Sequence, residues 1–229
     1  MTSLDFYSKI EPIIGMQEAC DELYEIFLDE IYKLEFMGND ALDFGSGSGN
    51  FALKLKKDFN VICIDKSSEM VKVASSKGLD ARNTSLNEVN ETFDLITASF
   101  DVINYMDKKE LKEFLKIISE KLNDGGYFVF DINTKFGFTD VADGLLYESD
   151  DKGNELIIDA NFDNNILETT MIYFEKNGEI YKKFQQKITQ YYHSEDEIKK
   201  YLSLKLLNLV DVNLYSDTKP DKKLFVFTK

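Results

Sequence analysis

Apolar residues recur along this chain with two different periods, and the change from one to the other divides the sequence. Over residues 17–36 they recur every three or four positions, which predicts a long helix. Further along, short apolar runs alternate with segments of helical period. The strand-like runs are 40–44, 60–64, 80–83, 93–98 and 127–132. This alternation predicts a doubly wound, mostly parallel α/β sheet.

After about residue 150, apolar residues alternate with polar ones, which is the period of half-buried strands. Asn164-Asn165 and Asn177-Gly178 separate the alternating runs and favour tight turns. We therefore expect an antiparallel meander of three strands inserted into the α/β part. Two last runs, near 206–215 and 222–228, predict a terminal hairpin.

Polar residues mark the expected starts of several helices. The capping patterns lie at Ser67 or Ser68, at Asp107 with Glu110, and at Ser194 with Glu197. Residues 6–12 end in Pro12 and are expected to form a short irregular lead before the first helix.

A glycine-rich turn follows the first predicted strand. Residues 42–51 read Leu-Asp-Phe-Gly-Ser-Gly-Ser-Gly-Asn-Phe, so that Asp43 precedes three closely spaced glycines. Glycine permits a positive φ and a close approach of the backbone to a ligand. Asp65 ends the next apolar run, 20 residues after Gly45, where a carboxylate can bind a ribose. These features together predict a nucleotide-type site.

The spacing of the glycines distinguishes between two possible classes of ligand, a dinucleotide and a cationic ligand. A dinucleotide fingerprint, G-x-G-x-x-G, requires its third glycine at position 50, which is Asn50 in this chain. A pyrophosphate also needs a helix N-terminus open to negative charge, whereas Asp43 suits a cationic ligand. An NAD(P)-dependent oxidoreductase is therefore an alternative that the sequence disfavours.

The composition of the chain limits the kinds of partner and the cellular location that we expect. The net charge of −15 disfavours nucleic acid, which needs a basic surface. No apolar run reaches the roughly 18 residues of a membrane span, and no signal peptide is visible. Cys20 and Cys63 are too few for a disulfide scaffold. We expect a cytoplasmic protein, monomeric or homodimeric.

The acidic-x-G-x-G-x-G pattern resembles motif I of the class I S-adenosylmethionine-dependent methyltransferases. Other similar segments are 93–97, 101–105 and 125–133, and the terminal hairpin is similar to the last strands of that family. The likeness is greatest to small bacterial amino-sugar N-methyltransferases and to clostridial relatives. It implies a Rossmann-like seven-stranded sheet with an antiparallel last strand, and an inserted meander over the substrate. The implied core is 1–140 and 194–229, with 141–193 as a lid.

The resemblance also implies a site for the cofactor S-adenosyl-L-methionine. Its expected residues are Tyr7, Asp43, Gly45, Ser46, Gly47, Asp65, Lys66, Met70, Asn83, Ala98 and Ser99. In such a site Asp43 orients the methionine end and Asp65 accepts hydrogen bonds from the ribose. Lys66 and Met70 flank the adenine, and Tyr7 belongs to a lid.

Asn83 departs from the family's pattern. The family usually has an acid at this position, which contacts the adenine amino group. An Asn carbonyl accepts the same hydrogen bond, so we expect binding to survive with altered strength.

Methyl transfer from a sulfonium mainly requires that two reactants be oriented and water excluded. An amine acceptor needs no strong base, whereas a hydroxyl acceptor does. The candidate groups are Asp101, Tyr105, Asp131 and His193. The segment around Asp101 ranks first because it follows the fourth strand at the carboxyl edge of the sheet. One histidine and two distant cysteines cannot form a zinc site of the usual type, and although a metal site of clustered carboxylates stays open, nothing in the sequence demands one, so we expect no metal.

The sequence therefore predicts a methyltransferase that acts on a small molecule, with an amine as the favoured acceptor. A protein or RNA methyltransferase is disfavoured by the charge and by residues 98–101, which read Ala-Ser-Phe-Asp rather than an Asn-Pro-Pro-Tyr-like tetrad. A regulatory protein that binds the cofactor without turnover is a further alternative, because its sequence would look the same.

Overall fold

The computed structural model describes the backbone of residues 3–229 and the side chains of Phe6 and of residues 9–229. Its helices are α1 (Ser3–Ile14), α2 (Gln17–Ile31), α3 (Asn50–Leu55), α4 (Ser68–Ser76), α5 (Lys108–Lys121) and α6 (Glu195–Tyr201). Its strands are β1 (Asp40–Phe44), β2 (Asn60–Ile64), β3 (Asp80–Arg82), β4 (Phe93–Ala98), β5 (Leu122–Asn133), β6 (Gly144–Ser149), β7 (Glu155–Asp163), β8 (Ile166–Asn177), β9 (Ile180–Tyr191), β10 (Lys205–Val212) and β11 (Lys222–Thr228).

Seven of these strands form one sheet in the order β10-β11-β5-β4-β1-β2-β3. Neighbours among β1 to β5 run parallel, while β11 pairs antiparallel with both β5 and β10. The predicted doubly wound sheet with an antiparallel last strand is confirmed. The bounds of β1, β2 and β4 match the predicted ones, because parallel strands covered on both faces read as short apolar runs.

Each face of this sheet carries its own apolar core. On one face, Phe128, Phe130, Phe225 and Phe227 stack across β5 and β11 and pack with side chains of α5 and α6. On the other face, side chains of α2 and α3 pack against the alternate residues of the same strands. Because successive strand residues point to opposite faces, one pair of strands supplies both cores.

The predicted capping patterns are confirmed. The Asp107 carboxylate accepts hydrogen bonds from the N–H groups of Lys109 and Glu110, both at 2.8 Å. Ser67, rather than Ser68, is the N-cap of α4. Ser194 and Glu197 form the capping box of α6. These local bonds satisfy helix amides that have no partner within their own helix.

The inserted sheet has one strand more than predicted. Its order is β6-β7-β8-β9, and all neighbouring strands are antiparallel. The prediction of three strands was wrong because β6 carries the consecutive exposed residues Leu145, Leu146 and Tyr147, which show no alternation. This strand pairs with β7 and forms one edge of the sheet.

The predicted irregular lead over residues 6–12 was also wrong. Helix α1 contains these residues, with Pro12 in its last turn. Phe6 and Ile10 are four residues apart, so they share one helix face, and both pack against apolar side chains of β7 and β8. Tertiary packing on the inserted sheet therefore outweighs the helix-ending tendency of proline.

The end of the first long predicted helix differs from the prediction. Helix α2 ends at Ile31 instead of residue 36, although Leu34 and Phe36 still pack on the same core. Apolar periodicity alone therefore extended the predicted helix too far. No helix among residues 3–229 is long and apolar enough to cross a membrane.

We expect Phe130→Ala to lower the free energy of unfolding by about 3–5 kcal/mol, because a fully buried ring is lost from a stack of four. Chemical denaturation measures this loss. Leu53→Ala, on the surface of α3, is the control and should cost less than about 1 kcal/mol. Equal losses in the two variants would contradict the central place of Phe130 in this core.

Candidate functional site

The glycine turn joins β1 to α3 at the carboxyl edge of the large sheet. The N–H groups of Gly45 and Ser46 donate to the Ile64 carbonyl at 2.8 and 3.2 Å, which ties the turn to the end of β2. Gly47 has φ +52°, and a Cβ placed on it meets no atom within 4 Å. The backbone at Gly47 therefore faces open space in a conformation that glycine adopts easily.

Gly49 has a different function from Gly47. It is the N-cap residue of α3 with φ +79°, and a Cβ placed on it would lie 2.4 Å from the Leu79 side chain and 3.1 Å from Ala74. The third glycine of the motif therefore allows α3 to pack closely against α4 and the residues that follow it.

Asp43 is buried in β1, with 1% of its surface exposed. Its Oδ1 accepts a hydrogen bond from the Thr97 hydroxyl at 2.9 Å, while its Oδ2 has no partner among the described residues. Burial raises the pKa of Asp43 to about 7; the bond from Thr97 opposes this rise, and the nearby Asp65 adds to it. A buried acceptor without a donor is costly, so this oxygen creates a position for a cationic donor.

Asp65 follows β2 and holds two neighbouring backbone segments. Its Oδ2 accepts the N–H of Gly47 at 2.9 Å, and its Oδ1 accepts the N–H of Ser67 at 2.7 Å. Asn83, just after β3, donates from Nδ2 to the Asp65 carbonyl at 2.9 Å. Asp65 and Asn83 therefore lie together at the ends of β2 and β3, next to the glycine turn.

Most of the predicted cofactor residues lie along this edge of the sheet. Ala98 and Ser99, at the end of β4, are buried, as is Met70 in the first turn of α4, whereas Lys66 is exposed. The side chain of Tyr7 lies outside the described residues. Whether these residues contact a cofactor stays a prediction.

A second polar group of residues lies beyond the end of β4. Lys222 places its Nζ against Asp101 Oδ1, 3.1 Å from Asp131 Oδ2 and 2.8 Å from Asn133 Oδ1. The Asp101 N–H also donates to Asp131 Oδ2 at 3.1 Å. We call Asp101, Asp131, Asn133 and Lys222 the buried ion cluster.

Lys222 was missed by the reasoning from sequence. The available signal is a pair of lysines ahead of the apolar run of the terminal strand, but lysines are also common on exposed strand faces. The register of β11 against β5 pairs Lys222 with Asn133, which brings the lysine to the site.

The segment after β4 is bonded to the last residues of β9. Asn104 donates from Nδ2 to the Tyr191 carbonyl at 2.8 Å, and Gln190 donates from Nε2 to Asp101 Oδ2 at 2.9 Å. Tyr105 closes the 3₁₀ turn Val102–Tyr105 and is half-buried. Asp101 and Tyr105, two candidate catalytic residues, therefore lie where the two sheets meet.

His193, another candidate catalytic residue, is buried directly after the inserted sheet. Its Nε2 lies 2.9 Å from the Met106 carbonyl, and its Nδ1 has no partner among the described residues. Burial lowers the pKa of His193, although the bond to Met106 opposes this effect. Together with Asn133 and Lys135 it lines a cavity of about 310 Å³. Its catalytic role stays a prediction.

The sequence matches the family model described as "Methyltransferase domain" over residues 41–126, which includes the glycine turn, Asp65 and β4. A carboxy-S-adenosyl-L-methionine synthase of Campylobacter jejuni is 30% identical over 154 residues, or 62% of this chain and 55% of that protein. The chain spans between 55% and 60% of the length of the curated relatives that it matches.

Solved structures extend the similarity to both sheets. An S-adenosylmethionine-dependent methyltransferase of Clostridium acetobutylicum is 27% identical, with a TM-score of 0.82 over 97% of this chain and 98% of that one. The sugar N-methyltransferase KedS8 of Streptoalloteichus shares the fold, with a TM-score of 0.77 at 15% identity over 98% of this chain and 92% of its own. The motif, the sheet order and these matches agree. Over the glycine turn and the parallel strands by sequence, and over both sheets by structure, the chain is similar to S-adenosylmethionine-dependent methyltransferases.

Proposed function

We propose that this protein transfers a methyl group from S-adenosyl-L-methionine to the amine nitrogen of a small molecule. The observation that carries this proposal is the buried Oδ2 of Asp43, which lies beside a glycine turn of the methyltransferase type and has no hydrogen-bond partner among the described residues. Such an oxygen calls for a cationic donor, and it would repel the pyrophosphate of a dinucleotide.

The residues along the sheet edge fit the chemistry of this cofactor. The α-ammonium group at its methionine end would donate to Asp43, and the open backbone at Gly47 would allow close approach. Asp65 and Asn83 would supply acceptor oxygens to the ribose and adenine. We assign Tyr7, Gly45, Ser46, Lys66, Met70, Ala98 and Ser99 to the same site as a prediction.

When bound, the cofactor supplies a methyl group on a positively charged sulfur, which is already an activated leaving group. The residues of the chain then have to orient the acceptor, exclude water and receive one proton. Asp101 is the candidate proton acceptor because 16% of its side chain is exposed at the end of β4, whereas Asp131 is fully buried. Tyr105 and His193 stay further candidates.

Three observations support an amine acceptor. The buried ion cluster contains two carboxylates and one ammonium group, which favours a cationic molecule nearby. The net charge of −15 also favours cations over anions. A structural relative with the same two-sheet fold carries the name of a sugar N-methyltransferase.

The inserted sheet is proposed to carry acceptor specificity. We assign residues 141–193 to an acceptor-binding subdomain, and residues 1–140 and 194–229 to the cofactor-binding core. Two hydrogen bonds support this division, because they bring the insert next to Asp101: Gln190 donates to Asp101, and the Tyr191 carbonyl accepts from Asn104.

The remaining partners follow from composition and are proposals as well. The acidic surface supports a small-molecule acceptor rather than nucleic acid. A cytoplasmic location and a monomeric or homodimeric state stay predictions. The antiparallel strand β11 argues against the alternative of an NAD(P)-dependent oxidoreductase. Observed methyl transfer would exclude the alternative of a regulatory protein that binds the cofactor without turnover.

The proposed activity predicts that tritium from methyl-labelled S-adenosyl-L-methionine passes to amines. The assay uses glucosamine, ethanolamine and benzylamine, with glucose as the neutral control. We expect labelled product from at least one amine and none from glucose. Binding of S-adenosylhomocysteine without any transfer would favour the regulatory alternative, and stabilisation by NAD or NADP instead would contradict the proposal.

The glycine turn predicts different outcomes at two of its glycines. Gly47→Ala and Gly49→Ala both place an L-residue at positive φ, which costs about 1–2 kcal/mol. Gly47→Ala should in addition weaken S-adenosylhomocysteine binding by about tenfold or more, because its methyl group enters the open space at the turn. Gly49→Ala should instead lose more stability, because its methyl group overlaps Leu79. Calorimetric titration and thermal unfolding separate the two effects, and an unchanged affinity in Gly47→Ala would contradict this assignment.

The raised pKa of Asp43 predicts a pH dependence of stability. Without ligand, the folded state holds the Asp43 proton up to about pH 7, whereas the unfolded state loses it near pH 4. The stability that this group contributes is therefore complete below pH 4, is lost as the pH rises to about 7, and changes no further above that. The loss is on the order of a few kcal/mol. Denaturation of Asp43→Asn beside the wild type should show the variant gaining relative stability over this window.

The same group predicts the opposite trend for the ligand. A cationic ammonium group favours ionised Asp43, so S-adenosylhomocysteine should bind about tenfold more weakly at pH 5.5 than at pH 8. Asp43→Asn should bind weakly with little change over this range. A wild-type affinity that is independent of pH would contradict the contact between Asp43 and the ammonium group of the ligand.

A further inference from the structure

Lys222 is a fully buried lysine whose donors are all used within the protein. An ammonium group has three donors, and the Nζ of Lys222 faces oxygens of Asp101, Asp131 and Asn133. Burial alone lowers the pKa of a lysine, but the two carboxylates outweigh it and raise the pKa of Lys222. This lysine is therefore a fixed internal cation, without a donor left over for a ligand.

The cluster around Lys222 is not balanced in itself. Two carboxylates face one ammonium group, and Oδ1 of the fully buried Asp131 has no hydrogen-bond partner among the described residues. Burial raises the pKa of Asp131, although Lys222 opposes this effect. A pair that served stability alone would need one carboxylate, and buried ion pairs add little stability in general. The second carboxylate therefore calls for another explanation.

Asp101 is the member of the cluster that reaches the surface. Both of its carboxylate oxygens and its N–H group have a partner within the protein. Its Oδ1 contacts Lys222, its Oδ2 accepts from Gln190, and its N–H donates to Asp131. Phe100 and Asp101 have φ +65° and +52°, a conformation that is strained for non-glycine residues. Such strain persists where the surrounding structure enforces it and concentrates at functional sites.

We propose that Lys222 is a positioning residue of the acceptor site: it holds Asp101 in the orientation that receives an acceptor bound as an ammonium ion. This inference rests on the proposed methyl transfer, and it adds the charge of the acceptor and the residue that sets the geometry. The acceptor's N–H bond breaks with its electron pair left on nitrogen, and the proton forms an O–H bond on Asp101. The nitrogen then carries the free pair that methyl transfer requires.

The main test removes Lys222 without leaving two buried carboxylates unpaired. The double variant Lys222→Met with Asp131→Asn keeps Asp101. It also leaves the net charge of the buried ion cluster unchanged, because one positive and one negative charge are lost together. Asp101→Asn removes the proposed proton acceptor. Lys223→Met is the matched control, because Lys223 is the next residue of β11 and pairs with Asp211 and Glu195 at the surface.

The measurements are the S-adenosylhomocysteine affinity and the initial rates with the best of glucosamine, ethanolamine and benzylamine. We expect all variants to keep the affinity within about twofold, which verifies the cofactor site separately. For the double variant, kcat/KM should fall about 100-fold, because a displaced carboxylate no longer meets the acceptor. Asp101→Asn should lose at least as much, and Lys223→Met should match the wild type.

Other results would overturn the role of Lys222, the cationic acceptor or the proposed function, and each can be told from the others. Full kcat and KM in the double variant would overturn the role of Lys222, and transfer to glucose in preference to every amine would overturn the cationic acceptor. If the wild-type protein does not bind S-adenosylhomocysteine, the proposed function itself is wrong.

A second measurement uses the wild-type protein and so does not depend on the folding of any variant. With ¹⁵N-labelled lysine, NMR should show one ammonium signal whose protons exchange slowly with water, because Lys222 is buried and fully bonded. Addition of the amine to the protein saturated with S-adenosylhomocysteine should shift this signal. The absence of a protected signal, or a signal that the amine does not move, would overturn the proposal.

Discussion

The antiparallel pairing of β11 with β5 is the interaction on which the rest of the molecule depends. Because β11 runs against its neighbour, its first residue lies at the carboxyl edge of β5, opposite Asn133. The same register places Phe225 opposite Phe130, so that one face of the pair forms an aromatic core while Lys222 reaches the other polar groups at the edge. A parallel last strand would bring its C-terminal end there instead.

Two buried carboxylates at this edge show how one fold handles charge in two ways. Within the described part of the chain, each of these carboxylates has one oxygen without a hydrogen-bond partner, but Asp131 faces the ammonium group of Lys222, whereas Asp43 has only the Thr97 hydroxyl. Burial disfavours the charged form of both carboxylates, and Asp43 is the one that we propose receives its cation from a bound ligand. Fixed charges of this kind need no rearrangement when a ligand binds, which is the advantage of a preorganised site.

Local patterns of the sequence were sufficient for the elements that local physics determines. The glycine turn, the central strands and the caps at Ser67 and Asp107 follow from neighbouring residues, and their positions could be predicted. The buried ion cluster could not, because Asp101 and Lys222 are 121 residues apart and meet through strand register. Helix α1 and β6 were missed for a related reason: packing on the inserted sheet determines them, against the local signals of Pro12 and of consecutive exposed apolar residues.

The inserted sheet is part of the proposed acceptor site rather than a separable cover. Gln190 bonds one carboxylate oxygen of Asp101 while Lys222 of the core contacts the other, so the orientation of this side chain depends on both sheets at once. Helix α1 contacts strands of the insert and also α4 of the core, which adds a second connection between them. Any shift of the insert therefore moves the carboxylate on which acceptor binding is proposed to depend, and acceptor geometry and insert position are linked by the same two hydrogen-bonded oxygens.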